Sequence, residues 1–153
     1  MSIETHLEQL GLALPDPPRP IAAYVPAVRT GSLIFVSGQL PMTGKTLLAT
    51  GPVPSKTPLD QAQEAAAQCV LNALAIVKAE LGGDLNRIER VVRLGVFVQS
   101  DSSFHDQALV ANGASELVGK LFQEKGQHAR AAVGVNSLPL NASVEVEFVF
   151  EVS

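Results

Sequence analysis

Tryptophan is absent, tyrosine and cysteine occur once each, and charged side chains make up only 17% of the 153 residues. Each scarcity removes a class of explanation. With Cys69 alone, neither an internal disulfide nor a multi-cysteine zinc site can form. Its setting, "AAAQCVLNAL", fits an inert core thiol on a helix rather than a nucleophile. Eleven basic residues against fifteen acidic ones give a net charge of −4, and lysine and arginine nowhere cluster. Nucleic-acid binding rests largely on phosphate neutralisation, so no nucleic-acid partner is expected. No apolar run approaches the ~20 residues that cross a bilayer. The start, "MSIETHLEQLGLALPDPPRP", also lacks the basic head and apolar stretch of a signal peptide. No membrane is expected, and the cytoplasm is the default compartment.

Other chemistries fall on spacing. His6, His105 and His128 lack metal-ligand spacing, so no metal is expected. Ser37 has no evident His–Asp partners for a serine hydrolase. "TGKT" at 43–46 lacks the full phosphate-loop pattern and reads as a turn.

What remains is apolar. Forty-six per cent of the chain is hydrophobic, enough for one sizeable core and a single domain over 1–153, with 1–20 as an N-terminal arm. So few charges on a chain of this size point to surface hidden in an oligomer. Residues 2–10 read as a short amphipathic helix, ended by Gly11 and the proline-rich "PDPPRP". Two strands, "AAYVPAV" and "SLIFVSGQ", flank a turn at Thr30-Gly31, and loop chemistry follows. Thr57-Pro58 predicts a helix start with a hydroxyl cap and proline at the first helical position. Leu59, Ala62, Ala66, Cys69, Val70, Ala73, Val77 and Leu81 recur at helical spacing up to Gly82-Gly83. Val92, Leu94, Val96 and Val98 alternate as one buried strand face, and a second helix is predicted across 106–125. The order ββ, α, β, α, ββ predicts an α+β fold: a mixed sheet with two long helices on one face.

Residues 128–152, "HARAAVGVNSLPLNASVEVEFVFEV", read as a terminal hairpin. Pairing Asn136 with Ser143 sets Val133 against Val146 and Val135 against Val144, on a helix-facing side that Phe148, Phe150 and Val152 extend. The other side then holds Arg130, Ala132 and Gly134 opposite Val149, Glu147 and Glu145. Small residues leave an open floor there. Arg130 and Glu145 lie four strand positions apart, roughly 13 Å, too far for a direct ion pair. The pattern alone fits a ligand-holding floor or two solvated strand charges.

These residues also carry a resemblance. "RAAVGVNSLPLNASVEVE" resembles the carboxy-terminal signature of the Rid family, the YjgF-type reactive-intermediate deaminases, and "GSLIFVSGQLP" resembles its other signature. Tyr24, seven residues before Gly31, matches the family's tyrosine spacing. The resemblance covers roughly residues 21–152. It implies a chorismate-mutase-like fold, a homotrimer with sites between subunits, and hydrolysis of small imines and enamines such as 2-iminoacids to ketoacids and ammonia without a cofactor. It further implies that Arg130 binds the substrate carboxylate, Glu145 holds or activates water, Tyr24 and Ser37 shape the pocket, and Gly38 offers backbone contact.

The sequence departs from the family in four places. Ala132 stands where a cysteine is common, Ala22-Ala23 replace a Gly-Pro pair, the arm is added, and "SDSSFHDQALVANGAS" is longer than usual. Asn112 is the candidate for the asparagine of that last region. Two other functions compete with deamination. One is a non-catalytic trimeric module that binds small carboxylates; the other is the endoribonuclease activity often attached to the family.

Overall fold

In the computed structural model, which describes residues 1–19 and 23–153, the long apolar stripe forms helix α2 (Leu59–Glu80). Alanine pays no side-chain entropy in a helix, and α2 spends its alanines where space is tightest. Ala62, Ala65, Ala66, Cys69, Val70, Ala73, Leu74 and Val77 have no exposed surface. Gly82 and Gly83 take positive φ of 67° and 100°, and the Gly83 amide returns to the Lys78 carbonyl at 2.8 Å, closing the helix end.

The helix start differs from expectation. Pro58 occupies the cap position, and Thr57 does not cap it. The Thr57 hydroxyl instead donates to the Thr50 carbonyl at 2.9 Å and lies 2.8 Å from Ser143 Oγ. A tertiary tie to the last strand replaces the local cap.

Five strands form one sheet: β1 (Ala27–Thr30), β2 (Leu33–Gln39), β5 (Ile88–Gln99), β6 (Ala129–Val135) and β7 (Val144–Val152). Between β2 and α2, β3 (Met42–Thr43) and β4 (Thr46–Leu47) make a small hairpin over Gly44, where a plain loop and the "TGKT" turn were expected. Strand β1 begins only at Ala27, and Ala22 of the expected strand lies outside the described residues. Helix α3 (Gln107–Phe122) covers the same sheet face as α2 and ends in a 3-10 turn to Gly126. The spatial order is β1-β2-β7-β5-β6, with β5 and β6 parallel and the other pairs antiparallel. The mixed sheet with two long helices on one face is as the sequence predicts.

The terminal hairpin is not. Strand β5 lies between β6 and β7, so Val133 does not meet Val146. The link between them is no tight turn; it carries a 3-10 turn at Pro139–Asn141, with Leu140 and Asn141 at positive φ, and crosses the end of β5. Through Phe97, Val133 aligns with Glu145 instead, one position away from the expected register. A one-residue slip turns every side chain to the other face. Val144, Val146, Phe148, Phe150 and Val152 do face the helices, all buried. On β6, however, it is Arg130, Ala132 and Gly134 that face the helices, level with Leu94, Val96 and Val98 of β5. Val133 lies on the bare face, 45% exposed. Strand β5 has its own irregularity between Val91 and Arg93, which buries Val91 fully and leaves Val92 partly exposed.

The arm opens with α1 (Ile3–Gln9), capped by Ser2, whose hydroxyl accepts from the Thr5 amide at 3.1 Å. It docks on the helical layer through buried Leu7 and through His6 Nδ1, 2.7 Å from the Leu121 carbonyl. Among the described residues no helix is long and apolar enough to cross a membrane.

Where α2 and α3 cross, Gly113 sets the distance. A Cβ there would overlap the Gln63 backbone, with the Gln63 α-carbon 2.7 Å away, while Gln63 Nε2 donates to the Leu109 carbonyl at 2.8 Å. Backbone cannot swing aside as a flexible side chain can. Gly113→Ala is therefore expected to destabilise the fold by about 1–3 kcal/mol despite alanine's better helix propensity. Chemical denaturation of the two proteins checks this, and equal or greater stability of the variant refutes it.

Candidate functional site

Arg130 stands near the start of β6, on the sheet edge, and its side chain reaches to α3. Its Nη1 donates to Asn112 Oδ1 at 2.8 Å and to Ser115 Oγ at 3.1 Å. Asn112 and Ser115 lie three positions apart on one helix face, so the two acceptors converge on one nitrogen. Both are neutral, so the positive charge is held without being neutralised. The remaining N–H groups, on Nε and Nη2, have no protein partner among the described residues and form a parallel two-donor edge, the geometry that matches a carboxylate. Ser115 was not legible as a site residue, although its offset from Asn112 was the available signal. His128, whose sequence position put it on Arg130's face, lies 2.9 Å from Ser115 Oγ.

The floor beneath Arg130 is less open than expected. Ala132 packs against the core, and a Cβ at Gly134 would come within 2.8 Å of Gln107 Nε2. That amide reaches in to donate to Ser100 Oγ at 3.2 Å and to the Phe104 carbonyl at 2.9 Å. Gly134 makes room for a protein side chain rather than for a ligand.

Glu145 lies on the opposite, bare face of the sheet, level with Phe97. Its carboxylate rests against Gly38, where a Cβ would overlap Glu145 Oε1. The register shift in β2 between Val36 and Gln39 brings the two together. Burial pushes the Glu145 pKa above its ordinary value, and the like charge of Glu147 on the same face adds to the rise. Glu147 itself pairs with Arg93 at 3.4 Å.

Next to Gly38 opens a cavity of about 640 Å³, lined among others by Tyr24, Ser37, Met42 and Leu140. The Ser37 hydroxyl donates to the Val25 carbonyl at 2.8 Å, leaving its lone pairs as acceptors, and Tyr24 is 66% exposed. Pro15, Asp16, Pro18 and Arg19 complete the wall, so the arm does reach this cavity. The predicted site residues thus fall into two groups: Arg130 with Asn112 on the helix side, and Tyr24, Ser37, Gly38 and Glu145 away from it.

The sequence profile of the Endoribonuclease L-PSP family matches residues 15–152, which contain all six of these positions. The chain belongs to this family, the Rid or YjgF proteins. It is 42% identical to Protein TCP17 of Trypanosoma cruzi, an alignment covering 99% of this chain and 94% of that one. To the 2-iminobutanoate/2-iminopropanoate deaminase of Dermatophagoides farinae it is 32% identical, over 89% of this chain and 91% of the relative. The crystal structure of protein Atu1372 from Agrobacterium tumefaciens superposes with a TM-score of 0.93 at 48% identity, covering 99% of this chain and 92% of that one. This Rid chain thus has the fold that its two sequence signatures imply.

The electrostatics of the Rid chain's Glu145 can be measured directly. Followed by carboxyl ¹³C NMR, Glu145 is expected to titrate with a midpoint above 4.5. Glu147→Gln should lower that midpoint without restoring the ordinary value, because burial is the larger cause. A midpoint at or below 4.5 in the unaltered protein would refute the reading.

Proposed function

We propose that this Rid protein hydrolyses small 2-imino acids to 2-ketoacids and ammonia, in sites shared between copies of the chain. The observation that carries this reading is the Arg130 guanidinium, held through Nη1 by neutral acceptors with its Nε/Nη2 edge free. A carboxylate next to a C=N bond is the ligand such an edge fits best.

The chemistry needs little more. The carbon of a protonated imine is already electrophilic, so catalysis consists of orientation, a placed water and proton transfer. Glu145 takes a proton as the water oxygen bonds to that carbon, giving a carbinolamine. The same carboxyl then returns the proton to nitrogen, the C–N bond breaks with its electron pair leaving on ammonia, and the freed Glu145 carboxylate takes the hydroxyl proton as the C=O bond forms, passing it to the departing ammonia as ammonium. No redox partner is required. A carboxyl with a raised pKa is a stronger base once ionised, which suits this shuttle. Tyr24, Ser37 and Gly38 would frame the reacting group.

In one copy the cation and the carboxylate sit on opposite sides of the sheet, so neither serves the other's ligand. The bare face also exposes Val28 (55%), Phe35 (46%) and Val133 (45%), an apolar surface that no helix among the described residues covers. Covering that face with further copies brings one copy's edge strand toward another's Glu145, and a closed ring of three is the arrangement we propose.

The deciding experiment measures ammonia released from imines generated in situ by an amino-acid oxidase, with RNA cleavage assayed in parallel. Wild-type protein should release ammonia well above the buffer rate and leave RNA intact. Glu145→Gln should retain 2-oxobutanoate binding but slow turnover by about 100-fold or more. Arg130→Lys should weaken binding by about tenfold, and Arg130→Ala should nearly abolish it without dissolving the oligomer. Ketoacid binding without ammonia release would make the protein a carboxylate-binding module. A concentration-independent monomer in light scattering would refute the shared site.

A further inference from the structure

The Arg130 contacts continue beyond Ser115, and the direction of each hydrogen bond can be worked out. His128 Nδ1 lies 2.6 Å from the Gly126 carbonyl oxygen, which can only accept. Nδ1 therefore carries the proton, and in the neutral ring Nε2 is left as an acceptor. Ser115 Oγ is 2.9 Å from that Nε2, so the hydroxyl donates to it. With its proton committed, Ser115 Oγ presents lone pairs to Arg130 Nη1 at 3.1 Å. The second Nη1 hydrogen goes to Asn112 Oδ1 at 2.8 Å. The chain of donors runs from Arg130 through Ser115 and His128 to Gly126.

Its far end is fixed. Gly126 is buried, and a Cβ there would come within 2.8 Å of the Val118 carbonyl, so this backbone is pressed against α3. His128 and Ser115 are both partly buried, whereas Arg130 is exposed. An exposed arginine ordinarily samples many rotamers and loses that freedom when it binds. Here much of the freedom is already gone.

We propose that Ser115 and His128 are positioning residues: together they orient the Arg130 guanidinium so that Nη1 faces α3 and the Nε/Nη2 edge faces the ligand. The proposal rests on Arg130 being the carboxylate anchor. Neither residue touches the substrate. His128 acts on Arg130 only through the Ser115 hydroxyl, so the two form one functional unit.

The test pairs NMR with binding. In ¹⁵N spectra of the free protein, His128 should show the Nδ1–H tautomer, and the Arg130 Nη signals should be resolved by restricted rotation. In Ser115→Ala the Nη signals should average, and calorimetry should show 2-oxobutanoate binding weakened about tenfold. His128→Ala should weaken binding in the same direction, and the double variant should bind no worse than Ser115→Ala alone, because both changes break one chain. Ser115→Thr, which keeps a hydroxyl, should restore binding. In turnover assays the loss should fall on KM, with kcat held within about twofold. Thermal melts of each variant separate these effects from unfolding.

Additive losses in the double variant, unchanged binding in His128→Ala, or averaged Nη signals in the unaltered protein would each overturn the proposal. Wild-type protein that binds no 2-oxobutanoate yet shows resolved Nη signals would instead sink the carboxylate-anchor reading. In that case the spectra of the Ser115 and His128 variants alone decide whether the relay exists.

Discussion

Strand β7 is hydrogen-bonded on both edges, to β2 and to β5, and its alternation divides the molecule. Its valines and phenylalanines on one side are buried under the helical layer, chiefly α2, at about 1.5–3 kcal/mol for each side chain taken from water. Because the period of a strand is two, Glu145, Glu147, Val149 and Glu151 have no choice but the other side. Everything lateral to β7 inherits this division. Leu94 and Arg130 follow Phe148 to the helix side, and Phe97 and Val133 follow Glu145 to the bare one.

The division has a chemical use. A cation and a carboxylate placed side by side neutralise each other, and their joint surface then has little attraction for a charged ligand. Among the described residues the Arg130 side chain meets neutral acceptors, Asn112 and Ser115, and no carboxylate. Among the described residues Glu145 has no cation paired with it; burial and the nearby Glu147 raise its proton affinity instead. The Arg93–Glu147 pair on the bare face shows the contrast, since there two partners satisfy one another.

Much of this was legible in the sequence, because periodicity is a local property. The stripe of α2, the alternation of β7, the Gly31 turn and the two signature motifs all stand in short windows. What misled was neighbourhood. Nothing in "VNSLPLNAS" states whether it turns back on itself or crosses another strand, and that one uncertainty moved Arg130 to the wrong face. Thr57 had the local chemistry of a cap, but Ser143, 86 positions away, competed for its hydroxyl. The bulge in β5 was hidden because Val91 and Val92 are both valine, so the pattern reads equally well in either phase. Ser115 escaped for the opposite reason. Its three-residue offset from Asn112 gains meaning only once the strand beside the helix is placed.

The arm has one more consequence. Its first turns are anchored on the helical layer, and Pro15, Pro17 and Pro18 follow, Pro15 and Pro18 lining the cavity themselves. Proline fixes φ and narrows the conformations open to the chain. A proline-rich wall differs in this from a glycine-hinged flap that swings with each turnover. A ligand in this cavity would meet, on the arm's side, a surface set before it arrives.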